Sequence, residues 1–290
     1  MLFRSIGYNL NSGSEEALVY DSMKLSGQES GYMKVNSRLN LIIEIAQGIA
    51  TVIGGIIAEY SFPVCYIISV MIAMIALIPA VLFVEPDELK EEENITVGIK
   101  EHFKICVQII RSNPILRKIL LYYPMVFTFY TIVFFYGQEY FRLLGMNKIE
   151  ISIIMLLASI MSCLGAISSE MFLSKFGNRA KYLSSLLMGM GIIMLGKNNL
   201  IVSVIAFAII TYANAVLYPI QSKSINELIP SKQRATIISV DSMIFSMMMI
   251  VLFPLCGIIA DFSSLHLVFM ALGILQLLIM LVIQDRKSVV

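Results

Sequence analysis

Residues 85–118 read EPDELKEEENITVGIKEHFKICVQIIRSNPILRK, and they hold thirteen of the chain's 41 charged side chains (21 basic, 20 acidic). No other interval of that length is as polar. Around it, the 290-residue chain is 58% hydrophobic and only 14% charged, where a soluble domain carries about 25% charged residues. Mean hydropathy is +0.83. Several runs of roughly 18 or more residues carry almost no charge, long enough as helix to cross roughly 30 Å of hydrocarbon. The chain therefore reads as an all-α, polytopic membrane protein, with three apolar spans before the polar interval and six after it.

The nine spans fall at 2–22, 39–59, 64–84, 119–139, 149–171, 182–196, 200–221, 236–259 and 265–284. Seventeen of the 21 Lys and Arg residues lie in alternate connections, and only Arg142, Lys148 and Lys197 lie in the opposite set. The positive-inside rule makes the basic set cytoplasmic. This predicts a multi-pass protein of the cell membrane with residues 86–118 and the C-terminus inside and Met1 outside. The first span carries Asn9, Asn11, Glu15 and Glu16. A carboxylate at a helix centre costs about 2.5–3.5 kcal/mol on the insertion scale, so that helix needs neighbours to cover its polar face.

The polar interval has two parts. Residues 86–94 are acidic and solvated. Residues 95–111 set Ile95, Ile99, Phe103, Val107 and Ile110 at three- and four-residue spacing, which predicts an amphipathic helix along the membrane surface. Ser112-Asn113-Pro114 stops it. The division that follows is a partial bundle at 1–85, a cytoplasmic linker at 86–118 and a six-helix bundle at 119–290.

Several function classes find no support. A net charge of +1 gives no argument for nucleic acid as a partner. The four cysteines are scattered singly and the two histidines, His102 and His266, are far apart, so no metal site or other cofactor is expected. No GxxxxGK[ST] loop occurs, so ATP is not expected as the energy source. Without paired His and carboxylate motifs or a nucleophile elbow, an integral-membrane enzyme is the weaker reading.

The chain repeats itself. Residues 55–61 read GIIAEYS and residues 257–263 read GIIADFS; upstream, Ala17-Leu18-Val19-Tyr20 echoes Ala215-Val216-Leu217-Tyr218. Both copies run tetrapeptide, basic connection, helix, heptapeptide, in the same membrane orientation. Parallel repeats of this kind are a transporter architecture. The three spans before the linker thus match the last three of the six after it.

These features together resemble the major facilitator superfamily. Residues 13–24 (GSEEALVYDSMK) resemble the end of helix four in bacterial drug-efflux-like members, which often read SG-x-EAL-x-YDS-x-K. Gly137-Gln138-Glu139-Tyr140-Phe141 resembles the outer end of helix seven. Ser174-Lys175-Phe176-Gly177-Asn178-Arg179 resembles a degraded copy of the D-R/K-x-G-R loop motif, with Ser174 in place of the acid. Glu227-Leu228-Ile229-Pro230 with Arg234-Ala235-Thr236 resembles the connection between helices ten and eleven. The resemblance covers the whole chain and implies a member lacking the first three helices. It implies a secondary transporter in the lipid bilayer, exporting a small amphipathic or drug-like molecule in exchange for protons by alternating access. A truncated, non-transporting remnant is the alternative.

Ionisable and polar groups inside spans are the candidate site. Glu44 and Gln47 share one face of the second span, for proton coupling or contact with a cationic substrate, or for packing against a polar neighbour. Asn214, Tyr218 and Gln221 share a face of another span, and Thr128, Thr131 and Gln138 lie in the span at 119–139. All are candidates for the substrate path, with hydrogen bonding between helices as the competing reading. The resemblance adds Arg4 as the helix-four arginine. It also implies a cytoplasmic gate of Glu16, Asp21 and Arg38 in the first half and Arg179, Glu227 and Arg234 in the second. Asp241 is seven residues past Arg234, on roughly the same helix face and about 10 Å along the axis; it is expected to act in the gate by pairing with a Lys or Arg from another loop, with contact to substrate as the alternative.

Overall fold

The computed structural model describes residues 18–82, 99–230 and 233–285, and every regular element among them is helical. Residues 18–25 form α1, and a 3-10 turn at Glu29–Gly31 leads into α2 (Tyr32–Tyr60). Then come α3 (Phe62–Leu82), α4 (Ile99–Ser112), α5 (Pro114–Leu143) and α6 (Lys148–Phe176). A second 3-10 turn, Gly177–Arg179, joins α6 to α7 (Ala180–Leu195), followed by α8 (Leu200–Asn226), α9 (Arg234–Phe262) and α10 (Leu265–Asp285). Six of these, α2, α3, α5, α6, α8 and α9, are long and apolar enough to cross a membrane, and α7 and α10 are shorter apolar helices. The chain is a multi-pass membrane protein.

The helix ends are set by side-chain chemistry rather than by hydropathy. Asn113, Asn147 and Asn199 each sit at an N-cap and accept from exposed backbone N–H groups of α5, α6 and α8, filling orphan donors of the first turn. At Asn147 the cap is reciprocal, because the Glu150 carboxylate accepts the Asn147 N–H at 2.8 Å. Gly145 ends α5 at φ +91, and the Met146 N–H returns to the Phe141 carbonyl, the closure that a left-handed residue permits.

This explains where the span boundaries differ from the expected ones. Helix α2 begins at Tyr32 rather than 39, α8 runs on to Asn226 rather than 221, and α5 begins at Pro114 rather than 119. Backbone hydrogen bonding continues past the apolar stretch until a cap or breaker intervenes. The last residues of the expected linker therefore belong to α5, where Pro114 occupies the first-turn position it favours. Residues 99–112 of the interval expected to form a surface helix are helical, as α4, with Ile109 and Ile110 packed against the main core; residues 95–98 and the acidic stretch lie outside the described residues, as do residues 2–17 of the first span.

Helices α5 to α10 form the packed body. The neighbours run α2–α6–α8–α7–α10–α5–α9, and α5 also meets α8. Leu116, Val126, Ile132, Phe141, Met188 and Phe269 are fully covered in the core. Small residues set the closest approaches. A Cβ on Gly165 would stand 2.5 Å from the Tyr212 carbonyl oxygen, so α6 and α8 touch backbone to backbone there. Helices α2 and α3 lie outside this body: none of the apolar stretch of α3 is buried, and Val70, Ile72, Ile75 and Ile78 are exposed as lipid-facing side chains would be.

The internal repeat has a structural counterpart. The first heptapeptide ends α2 and the second ends α9. In each, the serine that closes the motif is the C-cap, Ser61 donating its N–H to the Ile57 carbonyl and Ser263 to that of Ile259.

Candidate functional site

Helices α5, α8 and α9 enclose a cavity of about 310 Å³. From α8 come Asn214, Tyr218 and Gln221, at the i, i+4, i+7 spacing that puts them on one face. From α9 come Asp241, Ser242, Phe245 and Ser246, and from α5 Phe127, Tyr130 and Thr131. Five expected residues thus meet in one place: Thr131, Asn214, Tyr218, Gln221 and Asp241.

The Gln221 amide donates from Nε2 to Oδ2 of Asp241 at 3.3 Å. That bond fixes which way the amide points, since its oxygen turned to a carboxylate would repel it. The Gln221 side chain is only 5% exposed, and its Oε1 has no hydrogen-bond partner among the described residues; nor has Oδ1 of Asn214. Each unmet buried acceptor costs about 1–3 kcal/mol. Aromatic rings make much of the remaining wall, with Phe127 and Tyr218 edge to face at 5.8 Å.

A second carboxylate stands at the seam between the two parts of the chain. Glu44, half-buried on α2, lies near Ser162 of α6, and Tyr130 of α5 lies near the same Ser162. Tyr130 also lines the cavity, so Glu44 stands close to the cavity wall. Gln47, expected beside Glu44, is exposed.

The end of the molecule where α8 finishes and α9 starts is closed. Arg234, 2% exposed, pairs with Asp21 of α1. Its guanidinium lies 4.1 Å from the centre of the Tyr20 ring, and Nη2 donates to the carbonyls of Asn226 and Ile229 at 3.3 and 3.1 Å. The Tyr32 and Ser222 hydroxyls bond at 2.8 Å, and Asn226 Nδ2 donates to the Tyr32 hydroxyl at 3.3 Å. Further along, Ser37 and Ser169 bond hydroxyl to hydroxyl at 2.8 Å. Every one of these side-chain bonds from α1 or α2 crosses to the α5–α10 body.

Of the charged residues expected at a gate, Asp21 and Arg234 are the two brought together among the described residues. Asp21 and Arg234 meet each other, rather than Arg38 on one side and Arg179 with Glu227 on the other. Arg38 and Arg179 are exposed, and Glu227 is exposed with Lys223 at 3.8 Å. Asp241 lies in the cavity wall, not in this lock. Thr128 is buried and donates to the Pro124 carbonyl of its own helix at 2.7 Å, and Gln138 is exposed, so neither lines the cavity. Arg4 and Glu16 lie outside the described residues.

Tyr32, Ser222 and Asn226 escaped the sequence reading for a definite reason. Ser222 and Asn226 continue the polar face of α8 one turn past residue 221, where the apolar run ends but the helix does not. Tyr130 and Ser162 carried no usable signal, because single hydroxyls in apolar helices usually serve packing.

Compared with known families, residues 27–196 and, overlapping them, residues 139–288 match the Major Facilitator Superfamily. A comparison with individually curated proteins finds no match.

Proposed function

We propose that this chain, which belongs to the major facilitator superfamily and is a membrane transporter, exchanges protons for a small amphipathic molecule and carries that molecule out of the cell. The observation that carries the reading is the pair of carboxylates: Asp241 in the cavity wall, and Glu44 at the seam, near Ser162 and the cavity residue Tyr130. A charged carboxylate in a low-dielectric cavity is costly. At Asp241 that cost is relieved by a proton from one side of the membrane or by donor groups of the substrate from the other. Occupancy by one excludes the other, which is exchange.

Access then alternates as α1–α3 rock against the α5–α10 body. The contacts of Asp21, Tyr32 and Ser37 with Arg234, Ser222 and Ser169 are the ones that part. With the basic connections on the cytoplasmic face, the closed lock faces the cell interior and the arrangement is outward-facing. Helix α4 lies on the inner membrane surface and tethers the two parts. The ion gradient supplies the energy, with no part for ATP.

The test uses the purified full chain in liposomes loaded with a pH-sensitive dye, challenged with a panel of amphipathic compounds. Substrate addition outside should raise the internal pH, and both Asp241→Asn and Glu44→Gln should abolish the signal. Substrate flux that persists unchanged when an ionophore collapses the pH gradient would rule out proton coupling. A folded protein that moves nothing across the panel would rule out the transport cycle.

A further inference from the structure

The joint between α4 and α5 is a single residue. The Asn113 N–H donates to the Ile109 carbonyl and the Arg117 N–H to the Asn113 carbonyl, both at 3.1 Å. Backbone hydrogen bonds therefore run through the bend and hold one helix against the other. From Pro114 onward α5 is long and apolar enough to cross the membrane. On it Leu121 is 58% exposed, as a lipid-facing side chain is. Arg117 and Lys118 stand four and three residues before Leu121 and share its face, one turn nearer the helix start. Arg117 is exposed and Lys118 half-buried. Side chains on a helix tilt toward its N-terminus, and long cationic ones reach out of hydrocarbon to the polar layer. Both cations are thereby carried to the level of the lipid headgroups.

Helix α4 adds to them from the other side of the joint. Lys104, Gln108 and Arg111 are exposed at i, i+4, i+7 spacing, which makes one polar face, while Ile109 and Ile110 pack on the core. Residues 102–138 contain no Asp or Glu. None of the ion pairs among the described residues takes up Lys104, Arg111, Arg117 or Lys118. The far end of α5 is different, because Arg142 there is paired with Glu139.

We propose that Lys104, Arg111, Arg117 and Lys118 bind the headgroup phosphates of anionic phospholipids in the leaflet that the α4–α5 joint touches. This interaction goes beyond the transport reading and does not depend on it. Lys and Arg clustered beside a membrane helix attract anionic lipid, and the Arg fork matches two phosphate oxygens. A zwitterionic lipid offers the same phosphate, but its own cation competes with the protein's. An anionic lipid leaves that phosphate to the protein.

The chain contains no Trp, so one introduced Trp is the sole indole reporter. In the purified full chain, Leu121→Trp puts it in the lipid-facing lane beneath Arg117 and Lys118. Ile75→Trp puts it on α3, where the side chain is 63% exposed and residues 39–89 contain no Lys or Arg. Each protein is placed in phosphatidylcholine bilayers with added phosphatidylglycerol or phosphatidylcholine carrying a doxyl quencher on the acyl chain near the headgroup. At the Leu121→Trp reporter, phosphatidylglycerol should quench with about threefold or more the affinity of phosphatidylcholine. At the Ile75→Trp reporter the two lipids should quench alike. Adding Lys104→Gln, Arg111→Gln, Arg117→Gln and Lys118→Gln should bring the Leu121→Trp reporter to equality. Unchanged quenching by phosphatidylcholine shows that this variant is still inserted and folded. Salt at about 0.5 M, which shortens the screening length to a few Å, should weaken the preference. Equal quenching by the two lipids at the Leu121→Trp reporter would overturn the proposal. So would a preference that survives the four substitutions, or one of the same size on α3. Loss of the preference on adding inorganic phosphate at constant ionic strength would reassign the cations to a soluble phosphate and overturn it too.

Discussion

Arg234 holds an ion pair, a ring face and two carbonyls at once, and that is why its charge is tolerated at 2% exposure. Removing one partner of a buried pair costs about 3–5 kcal/mol, because the other charge is left uncompensated. Asp21→Asn should therefore lower the thermal stability of the detergent-solubilised protein clearly, and adding Arg234→Gln should recover part of the loss. Arg234→Lys should fall between, since an ammonium keeps the charge but has neither the planar face nor the forked donors. A double variant no more stable than Asp21→Asn alone would show that the pair's charge is not what matters. The sequence singled out both residues, but not their partnership. The reading matched each with charges near it along the chain, whereas the pair is made by the meeting of α1 and α9. Asp241 shows the same limit. Its place inside an apolar span singled it out, and only the crossing of α5, α8 and α9 puts it in a cavity wall.

For elements, type and order were readable and ends were not. Apolar run length announces a membrane helix, because every backbone group must be satisfied within the segment. A start can depend on a single cap or breaker, which is why α5 starts at Pro114. Asn113 is the testable case: its side chain accepts from both Ile115 and Leu116 N–H at about 3 Å. Asn113→Ala should cost about 1 kcal/mol, seen as a small fall in melting temperature. The contact of α6 with α8 should be far less forgiving. Gly165→Ala would push a methyl group into the Tyr212 carbonyl, backbone that has no rotamer to yield. Overpacking of this kind costs about 1–3 kcal/mol, and the helices must separate beside the cavity-lining face of α8. Melting temperature and substrate-driven proton flux should fall together. A variant with wild-type stability and flux would show that the two helices have slack between them.

Across the whole molecule, the repeat carried more information than any single motif. The two heptapeptides predicted that α2 and α9 are equivalent, and they end on equivalent serine C-caps. What the repeat could not show is which faces of its two copies meet. That depends on small polar side chains at the seam, such as Ser37 and Ser169, whose hydroxyls lie 2.8 Å apart. In a rocking cycle this contact must break and re-form, so a covalent bond there should arrest it. With Cys65, Cys106, Cys163 and Cys256 first replaced by Ser or Ala, a Ser37→Cys, Ser169→Cys protein can be oxidised in liposomes. Substrate-driven proton flux should stop on oxidation and return on reduction, and either single variant should be indifferent to both treatments. Because the described residues that line the cavity all belong to α5, α8 and α9, the cross-link should leave substrate binding from the open side intact. Loss of flux with retained binding is the signature of two parts that must move against each other around a site held by one of them. Full flux in the cross-linked protein would mean that the seam near Ser37 is static, and the motion would have to be sought within the α5–α10 body.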